Sequence, residues 1–113
     1  MKERRQYPRF DTLNFVFFIL SDKGEVQLQD MGRTLDASER GLLIQTAVPL
    51  AAGMHLKLSI AFADQLFEAT GDVVHSVEDG EGLFNSGVSF DPLTAEQQVV
   101  LNCFLESFPA VSE

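Results

Sequence analysis

Two groups of residues in this sequence have the types and spacing to do chemistry. Arg5 and Arg9 stand four apart with Arg4 beside them, and Asp36, Ser38 and Gly41 form an Asp-x-Ser-x-x-Gly hexapeptide. A guanidinium donates in a planar fork that suits phosphate oxygens or the O6 and N7 edge of guanine, and it stacks on a purine face. A carboxylate such as Asp36 accepts from the N1 and N2 donors of guanine's Watson–Crick edge, while the Ser38 hydroxyl can serve phosphate or base. Gly41 admits a positive φ or a close backbone approach. Pro8 fixes its own φ and biases Tyr7 toward an extended geometry, so less entropy is lost when the basic arm docks.

The charge distribution narrows the ligand. Lys2, Arg4, Arg5 and Arg9 against Glu3 give the first ten residues +3, so the remainder carries −12 of the net −9. A cationic arm on an anionic body favours a small anion over a polyanion, because the body repels nucleic acid. Tyr7 and Phe10 stand among the arginines, but the −12 body still disfavours nucleic-acid binding.

The elements that must position these residues fit one domain of 113 residues, 45% hydrophobic. From Thr12 to Leu20, the odd positions Leu13, Phe15, Phe17 and Ile19 form one apolar face of a first strand. The opposite face, Val16, Phe18 and Leu20, is apolar too, so a helix or a second protomer is expected to cover it, which points toward a homodimer. Val26 and Leu28 are apolar at even positions but Met31 and Leu35 at odd ones, predicting a bulge near Asp30 to Gly32. The hexapeptide leads into a strand at Leu42-Leu43-Ile44. Met54 to Phe62 alternate strictly, Phe67 to Val77 form a further strand with Gly71 as a bend or close-packing point, and Leu83 to Phe90 complete six. After Asp91-Pro92, Thr94 and Gln97 make a capping-box pattern. Leu101, Phe104, Leu105 and Phe108 then fall on one face of a helix stopped by Pro109. The expected fold is mainly β: a six-stranded antiparallel barrel with a C-terminal helix.

Other reactive side chains carry less. His55 is on the polar phase of its strand and is expected to face solvent. His75 is on the apolar phase and reads as a core or barrel-mouth histidine, with no partner at metal-ligand spacing around it. Cys103 sits beside the helix's apolar stripe as a small core residue and excludes a disulfide framework, which suits a reducing, cytoplasmic setting. Glu78, Asp79 and Glu81 read as a solvated turn. No catalytic residue and no metal site is expected, and enzyme activity is disfavoured. The six apolar residues Phe15 to Leu20 are too few for a secretory core of roughly 7 to 15 residues or a span of about 20.

Taken together, Glu3-Arg4-Arg5-Gln6-Tyr7-Pro8-Arg9-Phe10, the Asp-x-Ser-x-x-Gly element and Gly87-Val88-Ser89-Phe90 ahead of a terminal helix resemble the PilZ domain, a bacterial receptor module for cyclic dimeric GMP. The resemblance spans nearly the whole chain, and both ligand motifs match without substitution. It implies an arm at 1–11, a split-barrel type of fold at 12–108 with its helix at 94–108, and a tail at 109–113. It also implies that Arg5 and Arg9 clasp phosphates and guanine, that Asp36, Ser38 and Gly41 complete the pocket, and that Arg4 goes with an intercalated ligand dimer. No cofactor other than the nucleotide is implied. Signalling would run through an unidentified protein partner, by ordering of the arm. The rival reading is an adaptor that keeps the barrel, binds no nucleotide, and uses the Phe18 and Leu20 face as its interface.

Overall fold

The alternating apolar segments close on one another. The computed structural model describes residues 15–62 and 64–107. The arm at 1–11, Leu13, Phe108, Pro109 and the tail at 109–113 lie outside the described residues. Six strands run in chain order, β1 (Phe15–Asp22), β2 (Glu25–Ala37), β3 (Gly41–Thr46), β4 (His55–Phe62), β5 (Gln65–Glu78) and β6 (Phe84–Phe90), followed by α1 (Ala95–Ser107). All pairings are antiparallel, and the order β1-β2-β3-β6-β5-β4 closes into a barrel. Closure gives every strand two neighbours and removes the sheet edges that would invite aggregation. This is the six-stranded barrel with a terminal helix that the sequence predicts. Among the described residues no helix is long and apolar enough to cross a membrane.

β4 sets the inside. Leu56, Leu58 and Ile60 are fully buried, and their register partners on β1 are Leu20, Phe18 and Val16. Cross-strand partners share a face, so the even side chains of β1 point into the barrel. The two-faced apolar strand is thereby decided: Val16 and Phe18 are core, while Phe15 and Phe17 are 54% and 37% exposed on the outside. Phe18 therefore cannot serve as an interface. Each fully buried Phe, Leu or Ile contributes roughly 1.5–3 kcal/mol.

The helix adds to this core. Thr94 and Gln97 form the expected reciprocal cap, with the Thr94 amide donating to Gln97 Oε1 at 2.8 Å and the Gln97 amide donating to Thr94 Oγ1 at 3.1 Å. Gln97 Nε2 also donates to the Glu68 carbonyl at 2.9 Å, fastening the first turn to β5. Leu101 and Phe104 are fully buried, and the Phe104 ring lies 5.2 Å from Phe62. Cys103 packs half-buried against the same cluster.

The bulges are where sequence and structure part. Around Asp30 to Gly32 the pairing is unbroken, with Phe18, Phe17 and Val16 opposite Asp30, Met31 and Gly32. The slips in β2 lie on either side, at Gln27 and at Leu35. The expectation failed because it took Val26 and Met31 for inward residues, and both are exposed. A third bulge, at Val74, interrupts β5 between Val73 and His75.

Candidate functional site

The bulge at Leu35 makes one half of a site. Thr34 faces the interior, so unbroken alternation would turn Asp36 inward as well. The extra residue reverses the phase: Ala37 packs on the core opposite Leu42, and Asp36 comes out to the surface opposite Leu43. A bulge commonly re-aims a side chain next to a functional site. Beyond it the chain turns tightly, with the Ser38 amide donating to the Gly41 carbonyl at 2.9 Å and the Arg40 amide to Ser38 Oγ at 3.1 Å. Asp36 Oδ1 accepts from the Ala37 amide at 2.9 Å.

Gly41 is required by close approach. A Cβ there would lie 2.0 Å from the Val88 carbonyl oxygen on β6, well inside any tolerable contact. The Phe90 amide meanwhile donates to the Arg40 carbonyl at 2.8 Å, so the turn is sewn onto the end of β6.

The bulge at Val74 makes the other half. Continued alternation from Val73 would bury His75, yet the imidazole stands outside, across from Gly87. A Cβ on Gly87 would come within 2.4 Å of His75 Nε2, so glycine at this position leaves the bed on which the ring lies. The expected core or mouth histidine is therefore a surface residue. Between the two bulges opens a cleft of about 280 Å³, lined on one side by Asp36, Ser38, Arg40 and Gly41 and on the other by Val74, His75, Gly87 and Ser89.

Asp36, Ser38 and Gly41 are thus brought together, while Arg4, Arg5 and Arg9 lie outside the described residues. Sequence reasoning missed His75 and Arg40. The Val73-Val74 doublet, which breaks the alternation of β5, was the visible sign of the first. Arg40 lay within the hexapeptide, at a position its pattern leaves free.

With this geometry in hand, the relatives can be placed. A PilZ domain family model matches residues 3–107. The chain belongs to the PilZ domain family. This PilZ domain is similar in fold to the PilZ domain of CeSA from a cellulose-synthesizing bacterium, with TM-score 0.64 and 13% identity over 82% of this chain and 89% of that one. It is also similar to the Bacillus subtilis inhibitor of motility MotI/DgrA, with TM-score 0.66 and 17% identity, covering 93% of this chain but only 51% of that one. No curated protein matches the sequence.

A second polar cluster lies on the outer face of this PilZ domain. His55 Nδ1 is 2.7 Å from Asp72 Oδ1, its cross-strand partner, and Nε2 is 3.3 Å from Asp91 Oδ2. His55 is solvent-exposed, as its strand phase predicts. The hydrogen bond to Asp72 raises its pKa above the usual value, burial opposes this, and the charges of Asp91 and Asp72 add to the rise. A raised folded-state pKa gives stability that is fully present below the unfolded value of about 6.5 and is lost as pH climbs through the folded value. Urea denaturation in the presence of EDTA is therefore expected to show a larger gap between wild type and His55→Ala at pH 5.5 than at pH 8.5. An equal gap at both pH values would contradict the pairing.

Proposed function

We propose that this PilZ domain is a bacterial, cytoplasmic receptor for cyclic di-GMP. The observation that carries the reading is the pair of bulges that turns Asp36 and His75 out onto a single cleft bordered by the intact Asp-x-Ser-x-x-Gly turn. Asp36 accepts from the guanine Watson–Crick edge, Ser38 donates to phosphate or base, and the His75 ring offers a flat surface beside a bound purine. At about 280 Å³ the cleft falls just below the usual range of ligand sites, roughly 300–1,000 Å³. The barrel therefore supplies one wall, and the arm bearing Arg4, Arg5 and Arg9 supplies the other. Ordering of that arm on the barrel changes the surface offered to a protein partner or a second protomer, which is how a domain without catalytic groups signals. Arg4 goes with two intercalated nucleotides per site. The reading is of a receptor and not an enzyme, and the nucleotide site itself calls for no cofactor.

A second reading, an adaptor working through protein contacts alone, draws on the exposed Phe15, Phe17 and Met31. Titration calorimetry separates the two. Wild type is expected to give saturable heat with cyclic di-GMP, and Asp36→Asn to bind about tenfold more weakly through loss of a charged acceptor. No heat from wild type at high ligand concentration would leave the adaptor standing.

A further inference from the structure

The His55 cluster has the geometry of a metal site. His55 comes from β4, Asp72 from β5 and Asp91 from the connector between β6 and α1, and one ligand atom from each lies within 4.8 Å of the others. The two imidazole nitrogens are not equivalent. At 2.7 Å, the Nδ1 to Asp72 contact is a hydrogen bond and too short for both atoms to be ligands on one tetrahedral ion. At 3.3 Å, the Nε2 to Asp91 separation matches the edge of a tetrahedron with zinc bonds of about 2.0–2.2 Å, which is roughly 3.3 Å.

The surroundings fit that division of labour. Donation of Nδ1–H to a carboxylate fixes the tautomer and aims the Nε2 lone pair outward, the arrangement in which a histidine binds a metal best. His55 and Asp72 are direct register partners on adjacent strands, so the pair is held by the β4–β5 ladder. Asp91 is held twice by Thr70: its amide donates to the Thr70 carbonyl at 2.9 Å, and the Thr70 hydroxyl donates to its Oδ2 at 2.5 Å. The donors are therefore positioned before an ion arrives, on a body whose negative charge attracts cations.

We propose that His55 Nε2 and a carboxylate oxygen of Asp91 bind a zinc-class divalent cation, with Asp72 orienting the imidazole and water completing the shell. The ion ties β4 to the connector that leads into α1. It also stands at the end of β6 that borders the nucleotide cleft, where Ser89 pairs with both Asp72 and Gly41. The proposal does not depend on nucleotide binding.

Titration of the full chain with zinc chloride in a non-chelating buffer at pH 7.5 tests it. Wild type and His75→Ala are expected to show a saturable binding event. His55→Ala and Asp91→Ala are expected to lose it, and Asp72→Ala to weaken it by about tenfold or more. Because Asp91→Ala also removes Thr70's partner, long-range proton–nitrogen correlation spectra of the wild-type histidines give an independent reading. Zinc is expected to shift His55 Nε2 while Nδ1 keeps its proton. No heat with wild type, unchanged heat in His55→Ala, or a shift confined to His75 would overturn the proposal.

Discussion

Gly41→Ala is expected to lose about 3 kcal/mol or more of folding stability, although it adds only one methyl group. The new Cβ would sit 2.0 Å from the Val88 carbonyl oxygen and 3.0 Å from its carbon. These are backbone atoms of the neighbouring strand, so no rotamer change relieves the clash. Relief requires β3 and β6 to part at the Gly41–Ser89 pair, beside the Phe90 to Arg40 hydrogen bond that holds the turn. Ser38→Ala in the same turn removes only the acceptor for the Arg40 amide and is expected to cost about 1 kcal/mol. Urea denaturation of the two variants against wild type checks the contrast. A Gly41→Ala chain within 1 kcal/mol of wild type, as an order-of-magnitude threshold, would refute the steric argument. The motif glycine thus has a structural duty whatever the ligand, and weak binding by a Gly41 variant says little about contact with a nucleotide.

Arg5→Ala and Arg9→Ala carry the sharper test of the receptor reading. Each is expected to weaken cyclic di-GMP binding roughly ten- to a hundredfold, since a charge-assisted contact to phosphate contributes about 1.5–3 kcal/mol and each 1.4 kcal/mol is tenfold. The melting temperature of each variant without ligand, measured beside wild type, separates loss of binding from loss of fold. With ligand at a hundred times its dissociation constant, wild type should gain about 2.7 kcal/mol, and the variants should gain less at the same concentration. Arg4→Ala is expected to change stoichiometry, from two nucleotides per site to one. Unchanged affinity in Arg9→Ala, measured by calorimetry, would remove the arm from the site and favour the adaptor.

The strongest sequence readings rested on local physics. Thr94 and Gln97 are three residues apart, so their reciprocal cap depends on one helical turn and nothing beyond it. The alternation from Met54 to Phe62 identified β4 because a strand with one wet face must alternate. The hexapeptide was legible as a turn, since Ser38 and Gly41 close their own hydrogen bonds. Its role as the rim of a cleft was not, because the opposite rim comes from β5 and β6.

What the tertiary structure decided was phase and partnership. Apolar character alone could not say which face of β1 turns inward, since Phe15, Phe17, Val16 and Phe18 are all apolar. Pairing with β4 chose Val16 and Phe18. The bulge at Leu35 is occupied by an apolar residue with no special backbone chemistry and becomes visible only once β3 fixes the register, whereas the Val73-Val74 doublet marks the one in β5 without saying which side chain it turns out. Asp36 and His75 owe their outward aim to those two insertions. His55 and Asp72 are 17 residues apart and meet only because β4 and β5 pair where they do. The strands, the helix and the motif were legible before folding, because spacing along one chain governs them. Barrel closure determined which residues share the cleft and which surround His55, because they come from segments far apart along the chain.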